Sequence, residues 1–334
     1  MGEIVSGWPI QGMQDTVTAF LSLNFVVCVP IKINIMAVQW QGIFPALTTK
    51  FTEDDKLDLS LFDKNLQVQL AAGVNGIILG GTLGESSVLS VEEKETLVKF
   101  AVEKVNGKVP VILNIAEGST KEAIIQTEYA KKWGAAALML LPPMRYKPDH
   151  REAVNWFKTI ANNTDLPIMI YNNPVDYKTE VTLDMFEDII ECKNIEAVKE
   201  STRDVTNVTR MINRFGNRIK ILCGVDTLAY EELCLGAVGW VAGLVCAFPK
   251  ETVAIYNLVK AGKLEDALNI YRWFMPLLEL DIHPKLVQYI KLAETQTGIG
   301  SEFVRSPRLA LEGEERKAIL RIIDEGISTR ATIK

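Results

Sequence analysis

The chain has 334 residues, of which 48% are hydrophobic and 23% charged, and this composition supplies apolar side chains for one large core or two ordinary ones. The net charge of −6 and the lack of a Lys/Arg cluster interleaved with aromatic residues argue against a nucleic-acid partner and favour a small-molecule ligand. The five cysteines include no C-x-x-C pair, a usage typical of reduced thiols in a cytoplasmic protein.

Residues 1–35 are interpreted as an N-terminal extension that does not belong to the fold. The apolar stretch over residues 17–38 is interrupted by Pro30, Lys32 and other polar residues, so it does not fit a membrane span. It also follows acidic residues at positions where a secretory signal carries positive charge. We therefore expect the folded domain to begin at Met36, and we expect no membrane partner.

Apolar runs of strand length alternate with amphipathic stretches from Gly42 onward, a pattern typical of repeated βα units with a parallel sheet. The predicted strands are residues 42–49, 75–81, 109–116, 135–143, 166–174, 194–201, 218–226 and 239–246. This many units predict an α/β fold of the (β/α)8 or TIM barrel type over residues 36–249. An open, doubly wound sheet is the alternative.

Capping signals indicate where several of the helices begin and end. The segments Ser90–Glu93 and Ser119–Glu122 have the pattern of a capping box, in which a serine side chain and a glutamate side chain satisfy each other's free backbone donors. Leucines and valines at helical spacing over Asp58–Ala72 stop before Gly73, which is a C-terminal glycine signal.

Residues 250–334 are predicted to hold the last barrel helix and a C-terminal helical extension. Helical patterns cover residues 250–280, 284–297 and 313–328 with no strand between them. An appendage of this kind is suited to packing on the barrel and to subunit contact.

Lys199 is the leading catalytic candidate because it stands near the C-terminal end of the apolar strand N-I-E-A-V-K-E-S, where a TIM barrel carries its reactive groups. Burial disfavours the ammonium form, so the pKa of such a lysine falls and its neutral amine can form a Schiff base with a carbonyl substrate. A lysine that is merely solvated, as is typical of most lysines, is the alternative interpretation. Lys220 in I-K-I-L-C-G shows that a strand position alone means little.

Two other strand ends carry polar groups that suit this chemistry. In the loop Gly80–Ser86, glycines let backbone N–H groups approach a carboxylate and Thr82 adds a hydroxyl, although a tight turn between strand and helix would look the same. Tyr171 ends the fifth strand, and we predict that its phenol relays protons. A core tyrosine bonded to the backbone is the alternative there.

Arg145 follows the fourth strand in P-P-M-R-Y-K-P, and its guanidinium is either a ligand for a substrate carboxylate or a solvated surface charge. The two histidines, His150 and His283, are far apart without ligand-like spacing, which argues against a histidine-based metal site. We expect no metal, while a site built from carboxylates alone stays open.

The motifs G-G-T-L-G-E-S, Y-N-N-P and V-K-E-S resemble, in this order and spacing, those of the dihydrodipicolinate synthase and N-acetylneuraminate lyase family of Schiff-base aldolases and lyases. The resemblance runs from about Gly42 to the C-terminus. It implies a (β/α)8 barrel with a C-terminal helical extension, usually tetrameric, that acts on a 2-oxo acid. The resemblance implies that Lys199 is the Schiff-base lysine and Tyr171 the proton relay. It implies that Thr82 and neighbouring backbone N–H groups, such as that of Leu83, bind the substrate carboxylate. Gly224 and Val241 are the implied pocket-lining residues.

Three departures from the synthases of this family argue against lysine biosynthesis. Leu83 stands where the synthases have a second hydroxyl residue, which breaks their hydroxyl relay. Arg145 stands where they have a tyrosine, although Tyr146 is adjacent. Asp176 stands where they have the arginine that grips the carboxylate of the aldehyde substrate.

The segments P-P-M-R-Y-K-P, Y-N-N-P-V, G-W-V-A-G-L-V-C-A-F-P-K and Y-R-W-F-M-P-L-L-E-L-D are similar to the family branch that deaminates 1-pyrroline-4-hydroxy-2-carboxylate in hydroxyproline breakdown. The resemblance therefore implies a lyase that yields 2,5-dioxopentanoate and ammonia through a lysine imine and needs no metal or organic cofactor. The alternatives are a 4-hydroxy-tetrahydrodipicolinate synthase, another pyruvate-dependent aldolase or a 2-keto-3-deoxy sugar acid lyase. A non-catalytic protein that binds a 2-oxo acid and a metal-dependent aldolase are hypotheses of other classes.

Overall fold

The computed structural model describes residues 38–332. The extension predicted at residues 1–35 lies outside the described residues, and the domain bounds 36–249 and 250–334 stay predictions. Within the described part of the chain, no helix is both long enough and apolar enough to cross a membrane.

A single parallel sheet forms the centre of the molecule. Its strands are Gly42–Pro45 (β1), Ile77–Leu79 (β2), Val111–Ile115 (β3), Ala137–Leu140 (β4), Ile168–Asn172 (β5), Ile195–Glu200 (β6), Lys220–Cys223 (β7) and Gly239–Ala242 (β8). Every strand is buried along most or all of its length, as expected for a parallel sheet covered on both faces.

The sheet closes on itself. Strands β2 to β8 each pair in parallel with the next, and β8 pairs with β1 in a register that sets Gly239 beside Gly42. A parallel bridge between Ala46 and Ile78 joins the two ends, and the Leu47 N–H donates to the Ile78 carbonyl at 3.0 Å. The predicted (β/α)8 barrel is confirmed, and the open sheet is excluded because β1 contacts both β8 and the β2 region.

Each strand is shorter than the apolar run that predicted it. The run over residues 75–81, for example, ends as a strand at Leu79, because Gly80 adopts a left-handed conformation with φ of 69° and turns the chain into the loop around Thr82. The residues that follow each strand are still apolar or small, because the chain turns there inside the mouth of the barrel. Some of these turning residues, such as Thr82 and Gly224, line the cavity described below.

Helices surround the barrel and continue beyond it. They are Leu59–Ala72 (α1), Val91–Val105 (α2), Thr120–Trp133 (α3), His150–Ala161 (α4), Pro174–Tyr177 (α5), Leu183–Ile189 (α6), Thr206–Phe215 (α7), Ala229–Cys234 (α8), Pro249–Lys260 (α9), Leu264–Leu278 (α10), Leu286–Gln296 (α11) and Gly313–Ser328 (α12). In α4, Trp156, Phe157 and Ile160 are buried against the sheet, which is the apolar stripe of a helix that packs on one face.

The cap of α2 is the predicted capping box. The Glu93 N–H donates to the Ser90 hydroxyl at 3.2 Å, and the Ser90 N–H donates to the Glu93 carboxylate at 3.0 Å. The cap of α3 is only half of that pattern. Ser119 accepts from the Glu122 N–H, but the Glu122 carboxylate accepts from the serine hydroxyl instead of the serine backbone.

The C-terminal region differs from the prediction of one long helix over residues 250–280. It forms α9 and α10 instead, because Gly262 follows α9 with a left-handed φ of 72° and breaks the hydrogen-bond ladder. A short 3-10 helix, Glu279–Ile282, then links α10 to α11. This link brings the chain back over the mouth of the barrel.

Two buried ion pairs hold α11 on the loops that follow β1 and β2. Lys50 Nζ lies 2.7 Å from a Glu294 carboxylate oxygen, and Lys291 Nζ lies 2.5 Å from a Glu85 carboxylate oxygen. All of these side chains are at most 1% exposed. Removing one partner of such a pair costs about 3–5 kcal/mol because the other charge stays buried, so the pairs fix the C-terminal helices on the barrel.

Candidate active site

A cavity of about 470 Å³ opens at the C-terminal ends of the barrel strands. The predicted residues that line it are Thr82, Leu83, Tyr171, Lys199, Gly224 and Val241. They come from five different strands or strand ends, so the barrel alone brings them together. This is the end at which TIM barrels carry their active sites.

Lys199 is the penultimate residue of β6 and extends from it into this cavity. Its side chain is buried, and its Nζ lies 4.1 Å from the centre of the Tyr171 ring on β5, the residue paired with it in the sheet. Burial lowers the pKa of the Lys199 amine, and Asp281 opposes part of that effect when it is ionised. A neutral amine beside a phenol is the arrangement that forms a Schiff base.

Gly224, just after β7, is the residue that leaves room for the lysine. A Cβ at this position would lie 2.6 Å from Lys199 Cγ and 2.0 Å from the Ser201 hydroxyl oxygen. The Ser201 hydroxyl is buried, and no described residue is hydrogen-bonded to it. It is therefore a free donor or acceptor on the wall beside Lys199.

The Tyr171 phenol is buried, and its ring lies against the Lys199 amine. Its oxygen accepts a hydrogen bond from the Asn173 side-chain amide at 3.0 Å. Burial raises the pKa of Tyr171 well above its ordinary value, so the phenol keeps its proton at neutral pH. It bonds to Asn173 and not to a strand carbonyl, which distinguishes it from the core tyrosine that was the alternative.

Tyr177 completes the polar wall and was missed in the sequence. It ends the four-residue helix α5, where its hydroxyl lies 2.5 Å from the Thr82 hydroxyl and its ring meets the Tyr171 ring at 5.6 Å and 76°. Burial raises the pKa of Tyr177 to about 12. One wall of the cavity is therefore formed by the side chains of Thr82, Tyr177 and Tyr171 and leads to Lys199. Leu83 contributes no hydroxyl to this wall.

Arg145 does not lie in this cavity. It lines a second cavity of about 610 Å³ beside the ends of β2 to β4, where its side chain packs on Gly118. Only the Thr82 loop and Tyr177 line both cavities. The loop after β4 directs the Arg145 guanidinium into the second cavity, and its role as a ligand for a substrate carboxylate or as a solvated charge stays a prediction.

Charged groups also line the Lys199 cavity. Asp176 from α5 and Asp281 from the 3-10 helix both line it, together with the exposed cation Arg203. Asp226 lies fully buried behind them and accepts hydrogen bonds from the Trp240 indole and two backbone N–H groups. Within residues 38–332, no group of three or more His, Cys, Asp or Glu side chains is arranged to hold a metal ion.

A buried lysine and a protonated tyrosine at the C-terminal end of a (β/α)8 barrel define a Schiff-base-forming lyase. Comparison with known proteins agrees with this class. Residues 39–325 match the model of the dihydrodipicolinate synthetase family, and the chain belongs to that family, whose members form a Schiff base on a lysine.

Several relatives and solved structures similar to this chain are named for one activity. The 4-hydroxy-tetrahydrodipicolinate synthase of Endomicrobium trichonymphae is 31% identical over 281 residues, which cover 83% of this chain and 95% of that protein. That of Methanothrix thermoacetophila is 32% identical and covers 84% and 95%. The crystal structure of dihydrodipicolinate synthase from Aquifex aeolicus superposes with a TM-score of 0.81 at 28% identity, over 85% of this chain and 97% of that one.

Proposed function

We propose that this Schiff-base lyase is a 1-pyrroline-4-hydroxy-2-carboxylate deaminase, which converts a cyclic imine into 2,5-dioxopentanoate and ammonia. The single observation that carries the proposal is the carboxyl-rich rim of the cavity. Asp176 and Asp281 line it where a substrate with a second carboxylate would need a cation, and Arg203 is exposed at the outer edge. A substrate with its one carboxylate on the imine carbon needs only the Thr82 loop.

The magnitude of the charge effect supports this choice. A second substrate carboxylate would meet the exposed Asp176 carboxylate, and a like charge about 4 Å away costs about 1 kcal/mol when solvent screens it, roughly 5-fold in rate. A substrate that carries only a hydroxyl at the end far from its carboxylate avoids this repulsion. The rim therefore favours an uncharged, hydroxylated end.

The residues of the cavity suit each step of the reaction. The neutral Lys199 amine adds to C2 of the cyclic imine, the ring C2–N bond breaks, and an open Schiff base with a free amine on C5 results. The Tyr171 phenol, beside Lys199 Nζ, is placed to carry protons to and from the carbinolamine. The imine withdraws electrons, so a C3 proton is lost and the C4 hydroxyl leaves as water.

The product follows from tautomerisation and hydrolysis. The double bond moves to the carbon–nitrogen bond at C5, where water adds and ammonia leaves. A further water then releases 2,5-dioxopentanoate from Lys199 and restores the free amine. The dehydration returns a water, so the whole reaction consumes a single water molecule.

A second candidate is 4-hydroxy-tetrahydrodipicolinate synthase, and the names of the similar proteins favour it. In that reaction pyruvate would form the imine on Lys199 and its methyl carbon would attack aspartate semialdehyde. The two candidates share the imine and differ in what it reacts with. Leu83 and Asp176 argue against the synthase, because a hydroxyl and a cation are missing at those positions.

The test measures both activities on the same preparation. We expect ammonia release from 1-pyrroline-4-hydroxy-2-carboxylate, insensitive to chelator and absent in Lys199→Ala, and slow condensation of pyruvate with aspartate semialdehyde. Asp176→Arg should raise the condensation rate, while the isosteric Asp176→Asn removes only the repulsion and serves as the matched control. Efficient condensation by the unaltered enzyme without ammonia release would reject the deaminase in favour of the synthase. The tetrameric assembly and the cytoplasmic location implied by the resemblance stay predictions.

A further inference from the structure

Asp281 reaches the active-site cavity from outside the barrel. It belongs to the 3-10 helix Glu279–Ile282, and its carboxylate rests against the backbone of Gly243, which follows β8. A Cβ at Gly243 would lie 2.1 Å from the Asp281 Oδ1 atom, so only glycine admits the carboxylate at this depth. The side chain lines the same cavity as Lys199.

Charged groups from several elements face this carboxylate. They are Lys199 on β6, Asp176 on α5, Asp226 after β7 and Arg203 in the loop after β6. Asp226 differs from Asp281 in its hydrogen bonds, since the Trp240 indole N–H and the N–H groups of Gly243 and Leu244 donate to it. No hydrogen bond from a residue within 38–332 satisfies Asp281 in the same way.

The environment of Asp281 favours a carboxyl that keeps its proton. Burial raises its pKa well above the ordinary value of an aspartic acid, the Asp226 charge raises it further, and Lys199 opposes both effects. A protonated carboxyl that lines the same cavity as the reacting amine is a common form of general acid in enzymes that work near neutral pH.

We propose that Asp281 is the general acid that protonates the C4 hydroxyl of the substrate as it leaves, an inference that rests on the proposed deaminase function. The two tyrosines that line the cavity, which are the other candidate acids near Lys199, already have partners. Tyr171 stands against Lys199 and bonds Asn173, and Tyr177 bonds Thr82 in the loop assigned to the carboxylate. Asp281 is the carboxyl without such a partner among the described residues.

The step is balanced without an added reactant. After loss of the C3 proton, the enamine electron pair forms the C3–C4 double bond, the C4–O bond breaks, and the Asp281 proton joins the leaving oxygen to make water. Asp281 is then a carboxylate. It recovers its proton from C5 as the double bond shifts toward the C5 amine, so the residue acts first as an acid and then as a base.

The experiment separates imine formation from elimination. The variant is Asp281→Asn, and Glu279→Gln is the matched control, since Glu279 is an exposed acid in the same 3-10 helix. With 1-pyrroline-4-hydroxy-2-carboxylate, we expect Asp281→Asn to keep borohydride trapping on Lys199 and deuterium exchange at C3, while the kcat for ammonia release falls about 10²-fold or more. Asp281→Glu should restore part of the rate, and Asp281→Asn should lose the alkaline limb of the kcat–pH profile.

Each other outcome rejects a definite part of the inference. Ammonia release by Asp281→Asn at the unaltered rate would overturn the role of Asp281 and leave the deaminase proposal intact. Loss of trapping together with turnover in both Asp281→Asn and Asp281→Glu would mean that the residue supports the imine or the fold, which also overturns an elimination-specific role. Trapping without ammonia release by the unaltered enzyme would instead reject the deaminase function itself.

Discussion

Replacing Gly224 by alanine tests whether the position of Lys199 depends on the space beside it. The new methyl would lie 2.6 Å from Lys199 Cγ, 2.9 Å from the Glu200 carbonyl oxygen and 2.0 Å from the Ser201 hydroxyl oxygen. The serine hydroxyl can rotate away, but the carbonyl belongs to β6 and the Cγ atom is close to the lysine backbone. The methyl therefore has to displace either the lysine or the strand that carries it.

The size of the effect follows from these contacts. Overpacking a well-packed site costs typically about 1–3 kcal/mol of unfolding free energy. A displacement of the reacting nitrogen by about 1 Å costs on the order of 10²-fold in rate. We thus expect Gly224→Ala to lower the rate of borohydride trapping and kcat by about 10²-fold, while the free energy of unfolding in urea falls by no more than about 3 kcal/mol.

A double variant identifies which contact matters. Ser201→Gly combined with Gly224→Ala removes the contact with the hydroxyl but keeps the contact with Lys199 Cγ. The double variant should stay as slow as Gly224→Ala. Full activity in Gly224→Ala would refute the reasoning, and recovery in the double variant would show that the serine, not the lysine, sets the constraint.

Four further predictions test the site and its support. Lys199→Arg should abolish both the borohydride adduct and turnover, because a guanidinium stays protonated, and an adduct mapped by mass spectrometry to another lysine would reject the site. Since burial lowers the pKa of Lys199, kcat/KM should stay high at pH values well below ~10.4, the ordinary pKa of lysine. A profile of kcat/KM that reaches half its maximum near pH ~10.4 would contradict the burial of the Lys199 amine. Tyr171→Phe should slow turnover about 10²-fold with little change in the Kd of the 2-oxo acid, whereas near-normal rates would make the phenol structural. Lys291→Met should lower the free energy of unfolding in urea by about 3 kcal/mol, because the Glu85 charge stays buried without its partner. Lys285→Met, in an exposed ion pair, should lower it by less than about 1 kcal/mol, and equal losses in the two variants would contradict the role of burial.

Short-range patterns in the sequence were enough to predict the barrel and to place its candidate catalytic residues at one end of it. Apolar runs and capping serines are read within a few residues, so the eight strands and the start of α2 could be found without tertiary information. Lys199 and Tyr171 were predicted for the same reason, because each is near the end of a strand and all strand ends of a parallel barrel meet at one face. The motifs around them added the family.

Tertiary structure decided which groups face Lys199. Tyr177 and Asp281 lie in a four-residue helix and a short 3-10 helix, elements too short to leave a periodic signal, and each is brought to the cavity by contacts with distant parts of the chain. The position of the Asp281 carboxylate depends on the absence of a side chain at Gly243. Arg145 follows β4 as predicted, but its side chain lies in a different cavity. The direction of a loop side chain is set by the space and charge that other segments leave for it, and that information is not present in the local sequence.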